Sequence, residues 1–391
     1  MNNNKPEKKY LLTETDKVGE TAIQYGFTGI IPPTITPDIH KKAKTFKEFD
    51  FYGDCEEKIA MLDWYDEKKL YSEQQPIMVF YKKPLQGSGQ RKKPKEDSYG
   101  LEIMGSNRST SEALCIKTAI AILNDSGHKD IYVDINSIGD KESISKFEKE
   151  LHNYCRKNGQ TLNSKIKNEA KKNIYSIVRE TCELPEGLPQ SIGSLSEIGR
   201  AYFKETLEYL EAFEVPYKIR SQIISNKMYS THTVFEIRAF SNKKEEGELL
   251  AYGYRYNSLA KKIGLKKEIP CIGCTLILKN NKNTKKVIIK NIKKPIFYLV
   301  QLGNTAKLKA LNIVEFLRKN KIPVYHSLTK DKITGQLTGA EYMHATHVLI
   351  IGQKEAIEDS VVVRNISNRE QETVAVKDLP EFLRKLEKLA K

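Results

Sequence analysis

The sequence predicts an α+β protein in which an antiparallel sheet with flanking helices is followed by a small α/β domain. Between residues 217 and 278, apolar and polar residues alternate and turns interrupt the pattern, which indicates successive antiparallel strands. From residue 296 onward, short apolar strands alternate with amphipathic helices, as is typical of a small open α/β sheet. The lysine-rich stretch 281–295 separates the two patterns and indicates a linker.

The N-terminal half supplies the remaining strands and helices of the predicted core. Residues 76–81 and 99–104 are apolar runs separated by a lysine- and glycine-rich stretch, which predicts a long hairpin. Residues 109–123 predict an amphipathic helix with a capping box from Ser109 or Ser111. Residues 157–195 are polar and irregular with helical patches, and this pattern indicates an insertion.

These patterns set the expected domain organisation. We expect the first part of the core at 1–156, the insertion at 157–195, the second part of the core at 196–280, a basic linker at 281–295 and the C-terminal domain at 296–391.

Composition excludes several classes of protein. The chain of 391 residues is 39% hydrophobic and 29% charged, which is typical of a globular protein. No apolar run approaches the roughly 20 residues of a membrane-spanning helix, and the first ten residues lack the apolar segment of a signal peptide. Six scattered cysteines are too few for a disulfide scaffold, so we expect a reducing, cytoplasmic location.

A formal net charge of +15 favours a polyanionic partner, most simply nucleic acid. The alternative is a solvated, lysine-rich surface without a specific partner. Clustering favours the first interpretation, because residues 82–95 and 279–294 are rich in basic side chains and contain no acid. The candidate RNA-binding side chains of the first cluster are Lys82, Lys83, Arg91, Lys92, Lys93 and Lys95.

Three local patterns invite a metal or phosphate interpretation and do not support it. Cys271 and Cys274 have the spacing of a metal knuckle, but no second cysteine pair or histidine lies at ligand spacing. His344 and His347 lack the spacing and the glutamate of a zinc-protease helix. Residues 87–89, Gly-Ser-Gly, lack the lysine and the strand–helix context of a phosphate-binding loop. The sequence therefore predicts no metal site.

Seven segments carry recognisable motifs, and they follow one another in order along nearly the whole chain. They are YGFTGIIPP (25–33), YGLEIMGSNRSTSEALCIKTAIAIL (99–123), DIYVDINSIGD (130–140), MYSTHTVFE (228–236), AYGYRYNSL (251–259), IPCIGCTLILKN (269–280) and THVLIIGQKEAIEDSVVVRNISNREQETV (346–374). Together they resemble histidyl-tRNA synthetase, a class II aminoacyl-tRNA synthetase. The resemblance implies a class II synthetase-like core, an anticodon-binding C-terminal domain and a homodimer formed through the first segment, with Pro33 as its motif proline.

The departures from the family pattern concern arginines. Such enzymes stabilise the charge that develops on the α-phosphate of ATP with fixed guanidinium groups. The resemblance places the histidine-specific arginine at Ser225 and the arginine of the third class II motif at Asn280. The Phe-Arg-x-Glu of the second motif is not recognisable, because Phe80, Lys82 or Gly87 falls at the arginine position. Lysine does not reproduce the planar, bidentate clamp of arginine.

The resemblance also implies which residues remain of each site. In the amino-acid pocket these are Tyr229, Glu236, Arg255 and Tyr256, for which a purely structural role in the core is the alternative. In the C-terminal domain, Gln336, Arg364 and Asn365 fall where RNA-facing elements are expected.

The sequence therefore predicts a synthetase-like protein that binds tRNA or another structured RNA, has no catalytic residues of the family type and uses no cofactor. One alternative is an active histidine–tRNA ligase that uses ATP and Mg²⁺ and draws arginines such as Arg220 or Arg238 into a remodelled site. A second alternative is a regulatory subunit of the ATP phosphoribosyltransferase type, against which the C-terminal domain argues.

Overall fold

The computed structural model describes residues 10–83, 96–158, 164–179, 185–241, 244–279, 286–292 and 295–389. The chain forms two compact units. The core unit consists of Met1–Leu11, Ile30–Leu210 and Val215–Lys282, and the C-terminal unit consists of Leu12–Gly29, Glu211–Glu214 and Asn283–Lys391.

The core unit is built on a sheet whose strands are mostly antiparallel, as the sequence predicts. The strands that the core unit contributes to this sheet are, in spatial order, Ile77–Lys82, Glu96–Met104, Cys271–Lys279, Lys244–Arg255, Thr231–Ser241, Ile131–Gly139 and Tyr217–Ile219. Only the last neighbouring pair in this series is parallel. The predicted hairpin is confirmed, since Phe80 pairs with Leu101 in an antiparallel register.

Helices cover both faces of this sheet. The α-helices of the core unit are Pro37–Ala43, Cys55–Glu67, Thr110–Asp125, Lys141–Lys157, Ser164–Lys172, Ser176–Arg179, Glu197–Ala212 and Leu259–Lys262. The helix Thr110–Asp125 packs against two central strands with an almost entirely buried, apolar surface. The predicted capping box at its start is wrong, because Ser109 makes no cap hydrogen bond and its hydroxyl donates to Glu205 instead.

The segment expected as a polar insertion contributes to the core. Ile174, Tyr175, Ile177 and Val178 are buried against Phe147 and its neighbours on the helix Lys141–Lys157. That helix begins at Asp140, whose carboxylate accepts a hydrogen bond from the backbone N–H of Ser143 at 2.9 Å. The segment contains few apolar residues, so their spacing along the sequence does not predict that they pack together.

The C-terminal unit has the predicted α/β architecture. Its sheet contains, in spatial order, Val324–His326, Phe297–Gln301, His347–Ile351, Ser360–Asn365 and Gln371–Ala375. The first three strands are parallel and the last two form an antiparallel hairpin. The helices are Lys17–Gln24, Asn304–Lys319, Ile333–Tyr342, Gln353–Ile357 and Leu379–Leu389, and Glu14–Thr15 pairs with Val287–Ile288.

Among the described residues, no helix is long and apolar enough to cross a membrane.

Candidate functional site on the polar face of the core sheet

One face of the core sheet carries several buried carboxylates. Glu102 pairs across the strands with Gly273, and Gly273 pairs with Tyr254. On the neighbouring strands, Glu236 pairs with Asp134. Because directly opposed residues point to the same side of a sheet, these side chains share one surface, which we call the polar face.

At one end of the polar face, a lysine lies among two carboxylates and several tyrosines. Lys58 comes from the helix Cys55–Glu67 and is 1% exposed, and its Nζ lies 2.6 Å from Glu102 Oε1 and 3.7 Å from Asp54 Oδ2. Tyr256 donates to Glu102 Oε2 at 2.6 Å, and Tyr254 donates to Asp54 Oδ1 at 2.5 Å. We call Lys58, Glu102, Asp54, Tyr254 and Tyr256 the lysine nest.

The electrostatics of the lysine nest keep Lys58 charged. Burial alone would lower the pKa of Lys58, but the Glu102 and Asp54 carboxylates raise it well above its ordinary value. Burial raises the pKa of Glu102, and the Lys58 ammonium opposes that effect. Burial also raises the pKa values of Tyr254 and Tyr256, so both remain hydrogen-bond donors.

Further along the polar face, arginines surround Glu236. Tyr52 donates to Glu236 Oε1 at 2.9 Å, and Arg179 Nη2 lies 3.4 Å from the same oxygen. Arg238 Nη2 donates to Glu236 Oε2 at 2.5 Å. Beside this group, Arg220 Nη1 lies 3.3 Å from Asp134 Oδ2. The two arginines of the ligase alternative, Arg220 and Arg238, are therefore both ion-paired with carboxylates of the polar face.

Arg255 and Glu112 form a separate, fully buried ion pair. Arg255 Nε and Nη2 donate to the two carboxylate oxygens of Glu112 at 2.6 and 2.7 Å. Arg255 Nη1 donates to the carbonyl of Ser106 at 2.8 Å, and the guanidinium lies 5.7 Å from the ring of Tyr202. Both charged side chains are 0% exposed. This geometry matches the structural alternative for Arg255, because its donors are directed at groups of the core itself.

The segment Ser225–Ser230 is held in place by neutral hydrogen bonds. Ser225 is 1% exposed and its hydroxyl accepts from Ser230 at 3.0 Å. Asn226 donates to the carbonyl of Phe46 at 3.1 Å, and its Oδ1 accepts from the backbone N–H of Met228 at 2.9 Å. Tyr229 is buried, with its hydroxyl 3.4 Å from that of Tyr254. The position assigned by resemblance to a catalytic arginine is thus a small side chain in a closed hydrogen-bonded loop.

The predicted RNA-binding side chains of the core divide into two groups. Lys82 is exposed, 2.7 Å from Asp97 Oδ2, and its Nζ lies 5.5 Å from the ring of Tyr99. Lys83 is buried and ion-paired with Glu57. Because Lys83 is buried, its ammonium group is not accessible to RNA. The prediction that Lys83 binds RNA is therefore wrong. Arg91, Lys92, Lys93, Lys95 and also Asn280 lie outside the described residues.

In the C-terminal unit, Gln336 has a structural role that the sequence did not predict. Its side chain is 0% exposed, accepts from the backbone N–H of Gln301 at 3.0 Å and donates to the carbonyl of Gln301 at 2.9 Å. An amide that completes both backbone hydrogen bonds of a buried strand residue cannot face RNA. Gln336 is therefore withdrawn as an RNA-facing residue.

Arg364 and Asn365 end the strand Ser360–Asn365 and are partly exposed. Asn365 Oδ1 accepts from the backbone N–H of Ser367 at 2.8 Å and from the Ser367 hydroxyl at 2.7 Å, so this side chain shapes the following turn. Arg364 pairs in register with Val348 and Gln371 near the same turn.

The cysteine and histidine pairs occupy the positions expected of structural residues. Cys271 and Cys274 are both buried on one strand, where cysteine behaves as a small apolar side chain. His344 follows the end of the helix Ile333–Tyr342, and His347 begins the next strand. Over the part of the chain that the structure describes, no group of three or more His, Cys, Asp or Glu residues has metal-binding geometry.

Four charged residues of the buried ion pairs were not predicted from the sequence, namely Lys58, Glu102, Glu112 and Arg179. Glu102 gives a usable signal, since it is the only charged residue in the otherwise apolar run 99–104, YGLEIM. A charge in a strand that is apolar on both sides requires a buried partner. Lys58 and Arg179 give no such signal, because lysines and arginines are frequent near both.

The comparisons with known proteins agree with this architecture. Residues 287–386 match the family described as "Anticodon binding domain". A histidine–tRNA ligase of Halothermothrix orenii is 30% identical over 342 residues, covering 82% of this chain and 78% of the relative. One of Listeria monocytogenes is 29% identical over 336 residues, covering 79% and 75%.

Among solved structures, the apo histidyl-tRNA synthetase of S. aureus is similar with a TM-score of 0.53 and 21% identity, covering 94% of this chain and 93% of that chain. This likeness supports the fold, with a class II synthetase-like core and an α/β anticodon-binding domain. Because the H. orenii ligase is 30% identical over 82% of this chain, the chain belongs to the histidyl-tRNA synthetase family.

Proposed function

We propose that this protein binds tRNA and has lost the activation of histidine. The observation that carries the proposal is that four cations of the core unit are paired with carboxylates of the same unit. Lys58, Arg179, Arg238 and Arg255 are each ion-paired with a carboxylate of the core unit. A guanidinium already neutralised by a buried carboxylate stabilises the charge of a phosphate poorly, because its positive potential is largely cancelled.

The occupants of the family's arginine positions support the same proposal. Ser225 is neutral, buried and hydrogen-bonded to Ser230. Asn280 also has a neutral side chain. Loss of one transition-state contact of this kind raises a reaction barrier by about 3–4 kcal/mol, and the loss of several leaves little rate enhancement.

Retention of tRNA binding rests on the C-terminal unit and on charge. The anticodon-binding domain matches its family over 287–386, and the chain carries a net charge of +15. We propose phosphate contacts from Arg91, Lys92, Lys93 and Lys95, and contacts from Arg364 and Asn365 near the turn of the C-terminal hairpin. Lys82 is exposed but paired with Asp97, so we assign it no phosphate contact. Homodimerisation through residues 25–33 is part of the proposal and is checked by sedimentation.

A binding assay tests this proposal with tRNA at several salt concentrations. The triple variant Lys92→Ala, Lys93→Ala, Lys95→Ala is expected to bind more weakly and to lose about 2–3 units of the slope of log affinity against log salt. The matched control removes the same charge at Lys204, Lys354 and Lys385, exposed lysines that each pair with a glutamate one helical turn away. Equal tRNA affinities and equal salt slopes for the two triple variants would show that residues 92–95 do not contact phosphates.

A second candidate function is histidine–tRNA ligation with a remodelled site, and two observations favour it. The curated relatives are named histidine–tRNA ligases. In addition, Arg179 and Arg238 converge on Glu236 at the polar face, and Arg179 comes from the segment that the sequence presents as an insertion. This candidate requires ATP and Mg²⁺, whereas the first requires neither. Histidine-dependent ATP–pyrophosphate exchange separates the two.

A further inference from the structure

The lysine nest has the composition of a binding site for a primary ammonium group. Two carboxylates, Glu102 and Asp54, lie within 3.7 Å of Lys58 Nζ. The rings of Tyr254 and Tyr256 have their centroids 5.7 and 5.3 Å from the same nitrogen. Carboxylates with aromatic walls are a usual arrangement for recognition of a cationic amine.

The charges of the nest do not balance with Lys58 alone. Glu102 and Asp54 supply two carboxylates against one ammonium. Asp54 Oδ2 is buried and accepts no hydrogen bond from any described residue. This excess of negative charge favours a bound cation at this position, because a buried carboxylate without a cationic partner lowers the stability of the fold.

The nest is also tightly closed around the nitrogen. A Cβ atom added at Gly273 would lie 2.3 Å from both Lys58 Nζ and Glu102 Oε2, so any larger residue at this point of the strand Cys271–Lys279 would displace the ends of these two side chains. Lys58 and Glu102 are 1% and 0% exposed. The space between the tyrosines and Gly273 therefore holds one ammonium group, and Lys58 fills it.

We propose that Lys58 is an internal ligand that occupies a primary-ammonium site formed by Glu102, Asp54, Tyr254 and Tyr256. The site is closed to small amines and to the ammonium group of free amino acids as long as Lys58 is present. This inference rests on the proposed function. If histidine activation has been lost, Lys58 is a side chain that keeps the ammonium group of a free amino acid from binding at the polar face.

The test uses the full-length protein with Lys58→Ala. This substitution removes three carbons and the nitrogen, which propylammonium replaces atom for atom. We expect propylammonium chloride to raise the Tm of Lys58→Ala by several degrees in a saturable manner, and to leave the wild-type Tm unchanged. Propan-1-ol and sodium chloride at equal concentrations are the matched probes, and neither is expected to reproduce the rise.

Two further variants separate ammonium binding from general stabilisation. Lys58→Met fills the volume without the charge, and it is expected not to respond. Lys307→Ala removes another buried, ion-paired lysine, but its partner Asp331 is 43% exposed, so no closed site results and no response is expected. A rise of equal size in Lys307→Ala, or with propan-1-ol in Lys58→Ala, would overturn the proposal.

If Lys58→Ala does not fold unaided, the same comparison is made on refolding yield. Recovery of folded protein with propylammonium, and not with propan-1-ol or sodium chloride, supports the site; no recovery with propylammonium overturns it. Failure of this inference is distinguishable from failure of the proposed function, because pyrophosphate exchange by the wild type reports activation alone.

Discussion

The two units of the protein place their polar side chains in different ways. In the core unit, Lys58 and Arg255 are fully buried and bound to carboxylates that are equally buried. In the C-terminal unit, a fully buried polar contact of the sheet is neutral, between the side chain of Gln336 and the backbone of Gln301. The core unit therefore contains cation–carboxylate pairs in which both partners are fully buried, whereas in the C-terminal unit the buried lysine Lys307 pairs with Asp331, which is 43% exposed.

The largest effect is expected in the core unit. Arg255→Ala leaves Glu112 as an uncompensated buried charge, and we expect the free energy of unfolding to fall by about 3–5 kcal/mol. Urea denaturation of the full chain measures this. The control Lys385→Ala removes an exposed lysine paired with Glu381, and it should cause no measurable change. Equal stability of the two variants would mean that the buried pair does not stabilise the core.

The next effect concerns Gln336 in the C-terminal unit. Gln336→Ala leaves the N–H and carbonyl of Gln301 without their side-chain partner, so we expect a loss of about 1–3 kcal/mol in stability. Under conditions where the variant is folded, its affinity for tRNA should match that of the wild type. Weaker tRNA binding with unchanged stability would restore Gln336 as an RNA-facing residue and contradict its assignment to the core.

A smaller, pH-dependent effect is expected in the C-terminal unit, where burial keeps the ring of His326 neutral. Burial lowers the pKa of His326 to about 4 from the ordinary 6.5, and a hydrogen bond with the backbone of Tyr25 opposes the shift. Between these pH values the unfolded chain binds a proton at His326 that the folded chain does not bind. The free energy of unfolding therefore decreases as pH falls from about 6.5 to 4. Above pH 6.5 its contribution is constant.

Titration of the His326 ring by NMR in the intact protein checks this prediction. His326→Phe, which cannot be protonated, should lose less stability than the wild type between pH 7 and pH 4.5. A midpoint near 6.5 for His326 would show that its ring is hydrated in solution and would remove the effect.

The smallest effect is expected at the surface of the C-terminal unit. Arg364→Ala should leave stability unchanged and reduce the salt dependence of tRNA binding by about one unit of slope, as expected for one phosphate contact. Lys354→Ala, at an exposed lysine beside Glu358, is the control and should leave the slope unchanged. Identical slopes for wild type and Arg364→Ala would exclude a phosphate contact from Arg364.

The central strands were predictable from the sequence where an apolar or alternating run marks them, as in the hairpin from 76–81 to 99–104 and in the strands Phe297–Gln301 and His347–Ile351. The helices between the C-terminal strands were predictable from their amphipathic pattern. The packed segment around Tyr175 was not predictable, since its apolar residues follow a stretch rich in lysine.

Site residues were harder to predict than the fold, and the reason is burial. Gln336 and Lys83 look like surface residues in the sequence, yet each has a partner from a distant part of the chain, Gln301 and Glu57 respectively. The pairing of Lys58 with Glu102 links a helix to a strand 44 residues away. Local pattern carries no information about such partners, whereas the alternation of a strand is local.

The most direct test of the central claim is histidine-dependent ATP–pyrophosphate exchange by the purified full-length protein. A histidine–tRNA ligase relative, assayed in parallel, provides the positive control, and tRNA binding measured on the same preparation shows that the protein is folded. We expect no exchange above the level seen without histidine, together with salt-dependent tRNA binding. Clear histidine-dependent exchange would show that histidine activation is retained and would assign the protein to the active ligases.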